Sequence, residues 1–427
     1  MSTQPLSTDP YKGVRDFYPE EMAIQQYIFD SWARTARSFG FQQYDASILE
    51  PAELYKSKGA ENEEMVNEQT YTFTDRGGRE VTLRPEMTPT VARLVAARRR
   101  TAAFPLRWFS IPNLFRYERP QRGRLREHWQ LNCDIFGTHD SSTDIEIILL
   151  AAQLLTDFGA TTDMFEIRVN NRKTMQSAYQ LLGITDPDQI TAITRITDRK
   201  QKLSPADYRD QLTAVVNDDE QVAAIIRMIE DPDGGDNAVV ATLREHGFTN
   251  VRIDRSLARG FDYYTGTIFE IFDTHESNNR AMLGGGRYDN LTGLFGGDPV
   301  SGIGFGMGDV TMRDFLTTHH LLPDHLTQLS PQIIVVPTDA EKHIAGQMLA
   351  HTIRQHGFSI AVDTSGKRFT KKISDAAERG AQYLIVVGDD EIATKTYQVK
   401  HLTDGSTTSG TLPELLSTLS TQPSTSE

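Results

Sequence analysis

The 427-residue chain holds a single cysteine, Cys133, so it has no intrachain disulfide and no cysteine-built zinc site. Set between Asn132 and Asp134, that thiol reads as a small packing residue rather than a nucleophile. No apolar run is long enough to span a bilayer, which argues against a membrane role. The opening residues, Met1 to Pro10, carry neither a basic stretch followed by an apolar one nor the arginines of an organelle transit peptide, and the expectation is a cytoplasmic protein. None of the eleven histidines falls at a metal-ligand spacing, and His319-His320 reads as exposed loop. Positive charge is scarce overall: 44 lysines and arginines face 58 acids, a formal net charge of -14.

Against that background, local concentrations of cations stand out. From Arg93 to Arg126 there are ten arginines and one acid, Glu118. Fork-shaped guanidinium groups hold phosphates, and a basic strip on an acidic protein guides a polyanion to one place. A solvated basic face is the alternative reading, but Pro120 and Gly123 mark a loop between two strands rather than a helix. A second polar cluster, Ala258 to Glu270, packs Arg259, Asp262, Tyr263 and Tyr264 into a turn and strand. Tyrosine offers an apolar wall with a hydroxyl tip, and arginine suits a carboxylate or phosphate. The bland alternative is a half-buried strand rich in β-formers.

Length beyond one hydrophobic core predicts two or three domains. Pro19 to Phe39 has the apolar spacing of an amphipathic helix, and Phe41 to Pro51 reads as a strand. Gln69 to Phe73 and Glu80 to Leu83 read as a hairpin around Arg76-Gly77-Gly78. Residues of about 172–250 are charge-dense with helical periods, a mostly helical insertion. After a linker at 320–331, strands at 333–336, 358–362 and 383–387 alternate with helices at 341–355 and 369–379, which predicts a small sheet with parallel strands. Lys367, Arg368, Lys371 and Lys372 gather at the start of the second helix, either a phosphate contact or an exposed lysine-rich helix.

Two further pieces complete a pattern: Leu83-Arg84-Pro85-Glu86-Met87-Thr88-Pro89, and Gly284-Gly285-Gly286-Arg287-Tyr288-Asp289 with the alternating glycines Gly302 to Gly308. Together with the two clusters, they resemble the catalytic domain of histidyl-tRNA synthetases, which are class II aminoacyl-tRNA synthetases. The resemblance implies an α+β catalytic domain built on an antiparallel sheet (1–325, with the insertion at about 172–250). It also implies a C-terminal α/β anticodon-binding domain (331–415), and residues 416–427 read as a disordered tail. In that family the first long helix and the strand ending at a proline, here Pro51, belong to a homodimer interface, and the insertion lies beside the tRNA acceptor arm.

What the resemblance implies about chemistry can be carried over residue by residue. L-histidine is activated with ATP and Mg2+, releasing pyrophosphate, and is then passed to the 3′ end of tRNA(His). Arg116 and Arg259 take the catalytic positions on opposite sides of the reacting phosphate and carboxylate. Glu86, Met87, Thr88, Gln130, Asp134, Arg259, Tyr263 and Tyr264 form the histidine site, with Asp134 standing where many relatives carry glutamate. Arg116, Arg124 and Arg313 face ATP; Arg119 and Gln121 lie at the tRNA acceptor end. No protein metal motif is implied. One position departs from the family: its third motif carries an arginine for the γ-phosphate where this chain has Thr311, and Arg313, two residues on, points to another helix face. The rival reading is a regulatory paralogue that binds histidine without charging tRNA. A plain RNA-binding protein accounts for the basic strip but not for the pocket acids.

Overall fold

The computed structural model describes residues 6–56, 69–231, 237–258, 263–278, 280–327 and 329–420. The chain divides into two compact units, residues 1–16 with 25–322 and residues 17–24 with 323–427.

The larger unit is organised by a nine-stranded sheet. Its six middle strands run antiparallel in the order Leu106–Ser110, Glu127–Phe136, Gly302–Gly308, Ala281–Tyr288, Thr267–Asp273, Phe165–Asn171. Strand side chains alternate between faces, and here the two faces differ sharply in chemistry. On Glu127–Phe136 the odd positions Leu131, Cys133 and Ile135 are fully buried hydrophobics, whereas Gln130, Asn132 and Asp134 face a pocket. Helix Ser142–Thr156 buries Ile147, Ile148, Leu150, Ala151, Leu154 and Leu155. Each large apolar side chain among them contributes about 1.5–3 kcal/mol when withdrawn from water. A buried ion pair is set among these elements: Arg287 Nε donates to Asp144 Oδ1 at 2.9 Å, Nη1 donates to the Thr138 carbonyl and Ser301 Oγ at 2.8 Å each, and Thr267 Oγ1 donates to Asp144 Oδ2 at 2.6 Å.

The long helix forms over Pro19–Ser38, but the strand expected from Phe41 to Pro51 is two short ones. Gln42–Gln43 joins the large sheet in parallel with Leu106–Ser110, while Leu49–Pro51 pairs with Glu80–Leu83 in a separate three-stranded sheet that also holds Tyr71–Thr74. Apolar content alone does not reveal that a segment changes sheets halfway.

Within 172–250 lie helices Arg172–Leu181, Pro187–Asp198, Pro205–Val216, Asp219–Glu230 and Ala238–Glu245. Their starts are encoded locally. Asn171, Asp186, Ser204, Asp218 and Asn237 each accept a backbone N–H with the side chain, and Pro187 and Pro205 follow two of these caps, where the missing N–H costs nothing. Tyr179, Ile193, Leu212, Val222 and Ile225 form a core of their own.

In the smaller unit a five-stranded sheet runs Ile360–Val362, Ile333–Pro337, Tyr383–Val387, Thr396–His401, Thr407–Thr411. The first three are parallel, and the last two, which the sequence pattern does not announce, are antiparallel additions. Ile333 and Val335 pack with Leu349 and Ile353, while Ile334 and Val336 pack with Ala376 and Leu384, the two-residue period of a strand covered on both faces. Residues 416–420, expected in a disordered tail, belong instead to helix Leu412–Ser420, because Leu415, Leu416 and Leu419 all enter the same core as Ile333. Residues 421–427 lie outside the described ones. The basic cluster is largely consumed internally. Lys367 and Lys371 pair with Asp375, holding that carboxyl down to about 2, and Lys372 is buried near Asp363, leaving Arg368 exposed. His319 likewise is not exposed loop: its Nε2 lies 2.8 Å from buried Asp273.

Candidate functional site

Two adjoining cavities open on the polar face of the large sheet. The narrower is lined by Glu86, Thr88, Arg116, Gln130, Asn132, Asp134, Tyr263, Tyr264, Tyr288 and glycines of two neighbouring strands. The wider, about 400 Å³, is lined among others by Arg116, Glu118, Arg124, His128, Gln130, Glu270, Arg280 and Thr311. Arg116, Gln130, Gly284 and Gly306 border both.

The floor is made of glycine for a steric reason. Gly284, Gly286, Gly304 and Gly306 recur at the strand period, and Gly286 pairs with Gly304, as Gly284 does with Gly306. A Cβ on Gly306 would sit 2.6 Å from Gln130 Nε2, one on Gly286 2.8 Å from Tyr264 Cδ1, and one on Gly304 2.5 Å from the Cys133 carbonyl while also striking the Asp134 carboxylate. The glycines thus clear space for the side chains that line the pocket.

At the deep end, Asp134 is 4% exposed and accepts a hydrogen bond from Tyr288 Oη. Burial pushes its carboxyl up to about 7, only partly offset by that bond. Tyr288 is itself driven well above the ordinary phenol range, first by burial and then by the Asp134 charge. Three tyrosines line the same cavity: Tyr263 lies 4.8 Å from Tyr264 and 5.9 Å from Tyr288, ring centre to ring centre. At the opposite wall, Glu86 is 3% exposed, at the turn before helix Thr88–Arg98, and Tyr263 Oη donates to its Oε2 at 3.5 Å. Arg84 stiffens that turn through bonds from Nη1 to the Ala46 carbonyl at 2.8 Å and from Nε to the Asn113 carbonyl at 3.0 Å. Arg116 Nε donates to the Pro85 carbonyl at 2.8 Å, which aims the guanidinium at the junction of the two cavities.

The wider cavity is densely charged: Arg116, Arg124, Arg168, Lys202 and Arg280 line it together with Glu118, Asp198, Asp254, Glu270 and Asp309. Arg124 pairs with Glu118 at 3.0 Å. His128 faces the same space, and burial, followed by the charges of Arg116, Arg15 and Arg124, pushes its imidazole down to about 3, so it is neutral at physiological pH. Arg116, Arg124 and Arg280 within this basin suit phosphate groups, beside a small pocket suited to a zwitterion with a polar ring.

Not every residue singled out from the sequence lies here. Met87 is fully buried behind the pocket wall, where it packs near Arg84. Arg119 and Gln121 are exposed on the loop bridged by Gln121 and Arg124. Arg259 falls outside the described residues. Arg313 does not line the cavity; helix Asp309–Thr318 turns it away while bringing Thr311 in. Sequence reasoning missed Tyr288, Asn132, His128 and Arg280. The first two were legible as strand-period partners of Gly286 and Gln130; His128 and Arg280 carried no comparable signal.

Fold and pocket together place the chain among class II aminoacyl-tRNA synthetases. The sequence profile described as "Histidyl-tRNA synthetase" matches residues 13–308, and one described as "Anticodon binding domain" matches 332–422. A "Histidine--tRNA ligase" of Leptospira biflexa serovar Patoc is 39% identical over 94% of this chain and 95% of its own length, and one of Thermoplasma volcanium 36% over 96% and 98%. The crystal structure of histidyl-tRNA synthetase from Nostoc sp. PCC 7120 shares the fold with a TM-score of 0.76 at 21% identity, covering 97% of this chain and 99% of that one. The chain belongs to the histidyl-tRNA synthetase family.

Proposed function

We propose that this protein is a histidine--tRNA ligase. It activates L-histidine with ATP to histidyl-adenylate, releasing pyrophosphate, and transfers the histidyl group to the 3′ end of tRNA(His). The observation that carries this reading is the shared border at Arg116 and Gln130, where an acid-and-tyrosine pocket opens directly into an arginine-lined basin.

In the first step a histidine carboxylate oxygen attacks the α-phosphorus of ATP, and the bond to the pyrophosphate oxygen breaks. The nucleophile is already ionised near neutral pH, so no general base is needed. The protein supplies position and charge neutralisation. Arg116 at the junction is suited to both the carboxylate and the α-phosphate, and Arg259 is proposed to face it. Glu86, Thr88 and Gln130 suit the α-ammonium. Asp134 and Tyr264 suit the imidazole, whose N–H groups need an acceptor, and Tyr263 closes the wall. Arg124 belongs with the ATP phosphates, and Arg119 and Gln121 with the acceptor end of the tRNA.

Magnesium would neutralise phosphate charge; among the described residues no cluster of three His, Cys, Asp or Glu could hold an ion, so it would be carried chiefly by the nucleotide. No helix of the described residues is long and apolar enough to cross a membrane, and a homodimer acting in the cytoplasm completes the proposal.

ATP-pyrophosphate exchange tests it. Exchange dependent on histidine, and on none of the other amino acids, is the expected result. Its absence from protein that still binds histidine would instead favour a regulatory paralogue.

A further inference from the structure

The terminal phosphates of ATP need a cation, and Thr311 cannot be it. Its hydroxyl is directed to the backbone, 3.2 Å from both the Met282 and Gly308 carbonyls, so the side chain turns its methyl group to the space beside it. That space is filled from another direction. A Cβ placed on Gly123 would lie 3.4 Å from Thr311 Cγ2 and 3.1 Å from Arg280 Cδ, so the Arg280 stem runs past Thr311 at the loop of the arginine-rich segment. Gly123 is at φ +72° and is close to both; a larger residue there would be strained and would press on the Arg280 stem.

Arg280 enters just ahead of strand Ala281–Tyr288 and lines both the wide cavity and a small adjoining one of about 40 Å³. Its two cationic neighbours are already engaged. Arg122 donates to Asn278 Oδ1 at 2.9 Å and lies 4.0 Å from Asp314; Arg124 is paired with Glu118 at 3.0 Å. Arg280 has no ion pair among the described residues, although Glu118 attracts it at longer range. Burial and the Arg124 charge both disfavour its protonated form, a tension that an anion bound between the two guanidinium groups would relieve.

We infer that Arg280 binds the terminal phosphates of the nucleoside triphosphate, supplying from the turn before strand Ala281–Tyr288 the guanidinium that the helix position Thr311 does not. The inference rests on the ligase reading for the identity of the nucleotide. Geometrically it places the β- and γ-phosphates over Gly123, between Arg124 and Arg280. It also gives Arg280 a task that distinguishes ATP from AMP, because AMP does not reach that end of the basin.

Equilibrium binding of ATP and of AMP to the full-length protein, with and without Arg280→Ala, tests this directly. Loss of one charge-assisted phosphate contact lowers ATP affinity about 10- to 100-fold, and AMP and histidine affinities stay as they were. Arg280→Lys, which keeps the charge but not the fork, should retain part of the preference for ATP. In the double variant Arg280→Ala, Thr311→Arg, a guanidinium returned from the helix side restores it. ATP binding that is unchanged in Arg280→Ala overturns the inference, as does an equal loss for ATP and AMP, the mark of a merely structural residue. Should Arg280→Ala fail to fold, Arg280→Lys and Arg280→Gln, which keep most of the stem, read the same ratio. Histidine-dependent exchange by the unaltered protein is scored separately: if it occurs while Arg280→Ala keeps the ATP-to-AMP ratio, only the assignment of Arg280 falls; if it is absent, the ligase reading falls.

Discussion

Tyr288 Oη donates a hydrogen bond to the carboxylate of Asp134 at the deep end of the pocket, and both side chains are nearly sealed from water. The pairing joins two strands that lie on either side of Gly302–Gly308, so the glycines between them are what allow the contact.

Asp134 should therefore make histidine binding depend on pH. Its carboxyl, pushed up to about 7 by burial, is a poor acceptor for an imidazole N–H below that value and a good one above it. Histidine affinity is expected to rise between about pH 6 and 8, on the order of the one-unit spans over which such groups titrate. Asp134→Asn should flatten that rise and weaken binding about 10-fold or more, as an acceptor is exchanged in part for a donor. The sign for stability is opposite. A carboxyl with an unfolded value of about 3.9 and a raised folded one favours folding below the former, and that contribution is lost as pH rises toward 7. Thermal melts from about pH 4 to 8 should show a smaller decline in Asp134→Asn than in the parent.

Gly304→Ala should remove histidine binding. The added methyl meets the Asp134 carboxylate, which must turn away from the pocket, and the Cys133 carbonyl, which cannot move without parting Glu127–Phe136 from Gly302–Gly308. Overpacking of this kind costs about 1–3 kcal/mol. A folded Gly304→Ala protein that binds histidine like the parent would contradict the role given to the glycine floor; calorimetric titration with histidine decides it.

His128 should stay neutral well into acid. Held down to about 3 by burial and the arginines around it, its ring carbons should show no protonation shift in NMR between about pH 8 and 5. Because the unfolded value is about 6.5, folding stability associated with this residue is complete above that pH and is lost as pH falls below it. A ring that titrates near its ordinary value would mean that His128 is open to water or lies farther from Arg116, Arg15 and Arg124.

Breaking the Arg287–Asp144 pair should cost far more than breaking a surface one. Both groups are buried and bonded on several sides, so Asp144→Ala leaves a guanidinium uncompensated, at about 3–5 kcal/mol. Urea denaturation measures this. Lys371→Ala, which takes one half-exposed lysine from Asp375 and leaves Lys367 in place, should change stability far less.

Much of this architecture is legible in the sequence. Helix starts in 172–250 follow from caps such as Asp186-Pro187 and Ser204-Pro205, which act within one turn of chain. The strands at 333–337 and 383–387 are apolar on both faces and therefore stand out as runs. Strands Thr396–His401 and Thr407–Thr411 do not, because they add to a sheet edge and need no apolar run. Nor does the helix through Leu416 and Leu419, hidden in a Ser/Thr-rich stretch whose few leucines are placed toward the core.

The sequence by itself determined the local elements and the residue types of the candidate site, since turn chemistry, strand alternation and clustered arginines are properties of neighbouring residues. Tertiary structure alone decided which of those residues share a cavity. Asp134 meets Tyr288 across 154 positions, and Arg280, just ahead of strand Ala281–Tyr288, runs past Thr311 on its helix, through contacts that no local propensity encodes. Met87 lies buried behind the pocket wall and Arg313 outside the cavity lining for the same kind of reason, because the direction of a side chain depends on how its segment is set against the sheet. That setting is fixed by packing the whole apolar face at once.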